Sequence, residues 1–238
     1  DMPIFCEKPV ATTLDDLNWL RDLPAGARRQ IYCNQSYAHN EFSRQAAKLI
    51  KSGRVGQPLH LEINATHGLA FNPSFADNWR FRTRNPFVSI VGNLGVHFVY
   101  LVLRLFGEPD RIICHKSRGN PNSVDADTCA ILMTVPEGQS VSIYMSYATP
   151  YANTARLLFT DGILHLNDGC LRLYFPRDSF DGGGVWAGLY ISMKCPDLLL
   201  QTRDLRVQAF FLHAQKTQTQ MIFRSMASIQ ISNDQNYS

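Results

Sequence analysis

The 238-residue sequence predicts a fragment of α/β fold leading into an α+β domain, and three observations carry that prediction. A short β-α-β pattern occupies residues 3–34. Four β-type runs, the last broken by Asp-Gly turns, fill residues 110–175. Set against a prior of roughly 150 residues per domain, the length corresponds to about 1.6 domains, one whole and one in part. Apolar residues make up 45% and charged residues 18%, enough to build a substantial core.

Pro3-Ile4-Phe5-Cys6 reads as a short buried strand. Thr13 offers a capping hydroxyl, and Asp15 and Asp16 precede Leu17, Trp19 and Leu20, so a helix starts there and stops at Pro24-Ala25-Gly26. Gln30-Ile31-Tyr32-Cys33 returns as a strand, and the unit ends as the last part of a nucleotide-binding sheet would. Helical spacing of Phe42, Ala46, Leu49 and Ile50 predicts a helix over 41–52, with Lys48, Lys51 and Arg54 near its C-terminal end and Gly53 closing it. Residues 58–67 alternate as a strand that places Leu59, Leu61, Ile63 and Ala65 on one face. Residues 68–86 form a long polar segment rich in aromatics, of a length that is usually functional or lid-like. An apolar helix over 96–106 ends at Gly107 and Pro109. The β-type runs that follow, 110–114, 128–135, 140–148 and 156–175, predict a meander-like antiparallel sheet. Two closing helices are expected at 206–211 and 219–228. The glycines 182–184 read as a flexible loop, because no strand precedes them and no helix opens from them.

Several function classes are excluded at this point. Lys and Arg exceed Asp and Glu by 23 − 20 = 3, and the basic residues are scattered, so no nucleic-acid footprint exists. Six cysteines, none spaced Cys-x-x-Cys, suggest free thiols in a reducing compartment and no metal site. Cys33, Cys114 and Cys129 lie in apolar runs and are expected to be buried. No apolar stretch has the roughly 18 residues of a membrane span, and no signal-type segment opens the chain, so a cytoplasmic protein that binds no membrane is expected.

Two segments carry chemistry. Glu7-Lys8-Pro9 follows the first strand directly, at the sheet edge where open α/β folds bind ligands, and a lysine there can face a cofactor ribose or a substrate hydroxyl. Taken alone, the triplet reads better as a solvated charge pair beside a turn. The second is Gly92-Asn93-Leu94-Gly95-Val96-His97 at the start of the apolar helix, with Asn93 and His97 four apart on one face. A lone histidine on such a helix is more often a hydrogen-bonded core residue. The paired Asn, the glycines and a helix N-terminus favour a catalyst, since an imidazole near pKa 6.5 is matched to taking a hydroxyl proton.

Together the two segments resemble the Gfo/Idh/MocA oxidoreductases, which act mostly on sugars, cyclitols and sugar nucleotides with NAD or NADP. Glu7-Lys8-Pro9 is similar to the family's Glu-Lys-Pro, and Asn34-Gln35-Ser36-Tyr37 to its crossing segment, Asn-x-Arg-Phe or Asn-x-Arg-Tyr. The helix end at 49–56, Asn78-Trp79-Arg80, and Gly107-Glu108-Pro109 also match in order. The resemblance implies the C-terminal remnant of a Rossmann dinucleotide-binding fold over residues 1–34. A mixed, mostly antiparallel sheet domain with helices on one face, for substrate binding and oligomerisation, follows over 35–238. It implies Lys8 and His97 as catalytic residues, Asn93, Arg80, Trp79 and Tyr37 on the substrate, and Glu7, Lys8, Pro9 and Asn34 on NAD or NADP. The partner would be a sugar or nucleotide sugar, and the assembly a homodimer or homotetramer through the large sheet.

Departures from the family pattern sharpen the expectation. Asn93 stands where most members have Asp, and some nucleotide-sugar members resemble this chain in carrying Asn there. Ser36 replaces an Arg and Tyr100 an Asp. The Gly-x-Gly-x-x-Gly loop that would hold a pyrophosphate is not among these residues, so the chain is expected to lack the N-terminal part of the Rossmann domain. The alternatives are a non-catalytic sugar-binding or assembly module of the same family, and an NAD-dependent glycosidase.

Overall fold

A computed structural model describes residues 2–75, 89–175 and 189–191 of the chain. At the N-terminus β1 (Ile4–Cys6) and β2 (Ile31–Cys33) pair in parallel, joined by helix α1 (Leu14–Asp22). Thr13 caps α1 through its hydroxyl, which accepts from the Asp16 amide at 3.1 Å, as the sequence predicts. The stop at Pro24 is followed by one further helical turn, α2 (Ala25–Arg28), rather than by a loop. Leu17 and Ala11 form a small core of their own, with Val10 and Leu20 packed on it.

The rest is one eight-stranded sheet with two helices on its inner face. Helix α3 (Glu41–Ser52) starts at Asn40, whose side chain accepts from the Ser43 amide at 2.8 Å, and closes at Gly53 with φ 63°, a left-handed position suited to glycine. The strands are β3 (Pro58–Thr66), β4 (Arg111–Ser117), β5 (Thr128–Thr134), β6 (Ser140–Ser146), β7 (Ala152–Phe159), β8 (Gly162–Asn167), β9 (Cys170–Phe175) and β10 (Leu189–Ile191). Helix α4 (Val96–Phe106) enters between β3 and β4 in the chain. Phe42 and Ala46 from α3, and Phe98, Leu101 and Val102 from α4, pack against Leu61, Ile63, Ile131, Ile143 and Leu157 of the sheet. Each large side chain buried there contributes about 1.5–3 kcal/mol.

The expected meander is interrupted. In the order β10-β9-β8-β7-β3-β6-β5-β4, strand β3 lies between β6 and β7, parallel to the first and antiparallel to the second. The sheet is therefore mixed, with every other pairing antiparallel. Leu61, Ile63 and Ala65 share the buried face as predicted, but Leu59 is 51% exposed. Pro58 pairs with Phe159 and His60 with Leu158, so Leu59 is an extra residue in a bulge and is turned out of the core. Strand β4 also runs three residues past the predicted end at Cys114.

Both predicted hairpins form. Asp168, at φ 44°, and Gly169, at φ 88°, take the left-handed conformations of a tight β8–β9 turn. Gly162 serves closeness instead, because a Cβ there would lie 2.9 Å from the Tyr174 carbonyl oxygen. Cys129 is buried, whereas Cys33 and Cys114 are half-buried at sheet margins, which corrects the expectation for those two. Among the described residues no helix is long and apolar enough to cross a membrane. The glycines at 182–184 and the closing helices expected at 206–211 and 219–228 lie outside the described residues.

Candidate active site

Three chain segments meet where β1 ends. The first is the loop after β1, carrying Glu7, Lys8 and Pro9 with a cis Lys8-Pro9 peptide bond. The second is the helical segment ahead of α4. The sequence places a helix N-terminus at Gly92, but helical backbone already begins at Ile90 and passes through a π-helical turn, Val91–Gly95, before α4. The Asn93 amide is already bonded to the Ser89 carbonyl at 2.8 Å, so the site draws on a widened turn and not on a free helix end. The third segment is the end of β6. Because β3 and β6 are parallel, their C-terminal ends lie side by side and bring His67 and Tyr147 next to the π turn.

Lys8 and Asn93 are bound together twice. The ammonium donates to the Asn93 backbone carbonyl and, at 3.1 Å, to its side-chain Oδ1. The Asn93 Nδ2 in turn donates to the Tyr147 hydroxyl at 2.7 Å. Glu7 faces Asn34, whose Nδ2 donates to its carboxylate at 2.9 Å, tying the ends of β1 and β2 together. His97 is 8% exposed, and its Nδ1 is buried with no hydrogen-bond partner among the described residues. The Tyr37 ring lies 5.0 Å from the imidazole and 5.0 Å edge-on from Phe98. His67 lies 5.7 Å from the exposed Tyr151 ring.

Electrostatics corrects one expectation. Burial, and then the positive charge of Lys8, press the His97 pKa from 6.5 down to about 4, against a smaller opposing pull from Glu7. The imidazole is thus neutral throughout the physiological range, a weaker base than an exposed histidine but one wholly in its proton-accepting form. Burial, and then the neighbouring Cys6, push the Cys33 thiol beneath the same loop up to about 12, which makes it unreactive. Burial raises the hydroxyls of Tyr37 and Tyr100 as well.

Lys8, Asn93, His97 and Tyr37 therefore converge, and Glu7 and Asn34 lie beside them as a pair. Pro9 shares the Lys8 loop. Ser36 is exposed, at the start of a 3-10 turn. Trp79 and Arg80 lie outside the described residues. Tyr147 is the member that sequence reasoning missed. Its only signal is a hydroxyl-bearing aromatic directly after a strand, which cannot be distinguished from core until β6 is known to end beside Asn93.

Comparison with known proteins agrees with this architecture. Residues 43–165, slightly over half of the chain, match the family model of the GFO/IDH/MocA C-terminal domain. A D-apiose dehydrogenase of Paraburkholderia graminis is 26% identical over 174 residues, which cover 71% of this chain and 44% of that protein. The chain spans about half the length of the curated relatives it matches. Among solved structures, levoglucosan dehydrogenase in complex with NADH and L-sorbose superimposes with a TM-score of 0.65 at 18% identity, covering 80% of this chain and 54% of that one. An inositol dehydrogenase homolog from Azotobacter vinelandii, complexed with NADH and myo-inositol, gives 0.61 at 21% identity, covering 84% and 53%. The structural likenesses establish the shared fold, and the family model places the chain by its sequence: it belongs to the Gfo/Idh/MocA family.

Proposed function

We propose that the protein is an NAD(P)-dependent oxidoreductase that transfers a hydride between a nicotinamide cofactor and a hydroxyl-bearing carbon of a sugar. The observation that carries this reading is a neutral His97 set near a lysine that is held on Asn93 just past the end of β1. An ammonium donor and a proton-accepting imidazole side by side suit a single substrate hydroxyl. The relatives' names, D-apiose, levoglucosan and inositol dehydrogenases, support the substrate class.

In the oxidation direction a carbinol O–H donates to the His97 imidazole, and the Lys8 ammonium, carried on the Asn93 oxygens, hydrogen-bonds the same oxygen. As the C–H bond breaks, the O–H proton passes to His97 and the oxygen becomes a carbonyl stabilised by Lys8. NAD or NADP, when bound, supplies the acceptor for the hydride. Glu7, Lys8, Pro9 and Asn34 would hold it, and no pyrophosphate loop is present in these residues. The positive charge of Lys8 then favours loss of the proton from His97.

Asn93 favours a nucleotide sugar within this class, with Tyr37, Trp79 and Arg80 as further substrate contacts. Residues 1–34 and 35–238 form the cofactor-side and substrate-side units, in a cytoplasmic protein. The outer face of the sheet carries Ile113 paired with Leu132, with Tyr144 nearby, all exposed, and we assign to it a homodimer or homotetramer contact. His97→Ala and Lys8→Ala, assayed with NAD and NADP against sugars and nucleotide sugars, should each lose at least about a hundredfold in kcat/KM. Turnover unchanged in both overturns the assignment.

A further inference from the structure

We infer that Tyr147 is a positioning residue that fixes the orientation of the Asn93 amide, and through it the lysine that faces the substrate. The inference deepens the reading of Lys8 above and rests on it.

Chemistry sets the direction of the hydrogen-bond chain. An ammonium only donates, so the Asn93 atom facing Lys8 at 3.1 Å must be its carbonyl oxygen. The NH2 is thereby turned to Tyr147, which accepts at 2.7 Å. A carboxylate at this position would need no such help, because both of its oxygens accept. An amide has one accepting end, and without a partner for the other end a half-turn about its last bond would present NH2 to the ammonium.

Tyr147 is built to supply that partner. It is buried and directly follows β6, and its main chain is held on both sides: its amide donates to the Asp127 carbonyl at 2.8 Å, and its carbonyl accepts from the Ala70 amide at 2.9 Å. Asp127 is itself locked by the amides of Gly119 and Asn120 at 2.6 and 2.8 Å. The hydroxyl therefore stands on a rigid support where the end of β6 meets the loop that leads into β5.

The test is a double-mutant cycle read by NMR titration of the Lys8 side chain, which needs no turnover. With Asn93 in place, Tyr147→Phe should lower the Lys8 pKa by about one unit, because a donor then faces the ammonium. In the Asn93→Asp background the same change should leave it unmoved. Where sugar oxidation is measurable, kcat/KM should follow, falling about tenfold or more for Tyr147→Phe with Asn93 in place and far less in the Asn93→Asp background. Equal shifts in both backgrounds, or none in either, overturn the inference. In the unaltered protein, one Asn93 side-chain amide proton should exchange slowly with solvent, and fast exchange of both also overturns it. If the titration pattern appears but no sugar is oxidised, the functional reading fails and the positioning role stands. Turnover without the pattern leaves the functional reading standing and removes the positioning role.

Discussion

Two polar clusters, one buried and one half-buried, lie close together in this molecule and are finished in opposite ways. Around Asp127, fully buried, both carboxylate oxygens are satisfied, by the amides of Gly119 and Asn120 and the hydroxyls of Ser123 and Thr128, at 2.6 to 3.0 Å. Around Asn93 the bonds run in a chain from Lys8 to Tyr147, and the His97 Nδ1 beside them has no partner among the described residues. Leaving a buried polar group open costs about 1–3 kcal/mol. Ser43 Oγ and Gln35 Oε1 are open as well, so it is the place of His97 beside Lys8 and Asn93, and not openness by itself, that singles it out.

Three changes test this contrast, beginning with the largest. Asp127→Ala strands several inward donors at once and should cost about 3–5 kcal/mol, seen as a Tm lowered by about ten degrees in thermal unfolding. A loss under about 1 kcal/mol would mean that the cluster is not closed. His97→Leu should go the other way at pH 7, neutral or up to about 1 kcal/mol stabilising, since it removes an unsatisfied atom. Below pH 6.5 the two proteins should diverge further. The folded state holds His97 neutral down to about 4 while the unfolded chain protonates near 6.5, so the unfolded state binds more protons in that window and stability falls with pH. The native protein should lose about 3 kcal/mol more than His97→Leu between pH 6.5 and 4. Parallel stability curves would show that the imidazole is not held neutral. The smallest effect is that of Lys8→Met, which should raise the His97 titration by less than half of the interval from about 4 to 6.5, because burial is the larger cause. NMR of the imidazole protons checks it, and an unmoved titration would place Lys8 too far away to matter.

Much of the molecule is legible from residue pattern alone, and the misses share a cause. Local chemistry announces itself: Thr13 and Asn40 as caps, Gly53 as a stop, Asp168-Gly169 as a turn, and the period-two faces of β5 to β9. Non-local pairing does not. Leu59 fits its alternation perfectly, and only the partner strand, by skipping it, turns it outward. The insertion of β3 between β6 and β7 has no trace within either segment. At the site, Lys8 and His97 stand out by residue type and by family resemblance, as does Asn93. Tyr147 does not, since its role exists only once β6 ends against the π turn. The low His97 pKa also escapes, because it depends on burial and on a charge 89 positions earlier in the chain, neither visible at position 97. Asp125 and Asp127 likewise look alike in sequence, and only the fold of the loop chooses between them.

The position of β3 also dictates an order of assembly. His60 meets Ser140 across 80 residues, and Glu62 meets Arg156 across 94, so the strand that leads to His67 gains neither neighbour until the chain is folded well past both helices. The hairpins β5–β6, β7–β8 and β8–β9 close over short loops and can form early, whereas β3 must wait for β6 and β7 and then enter between them. Until then β6 and β7 each expose an unpaired edge, the condition that invites association with other chains. The same late step brings the ends of β3 and β6 together, so the bond from the Ala70 amide to the Tyr147 carbonyl closes only when the sheet is sealed.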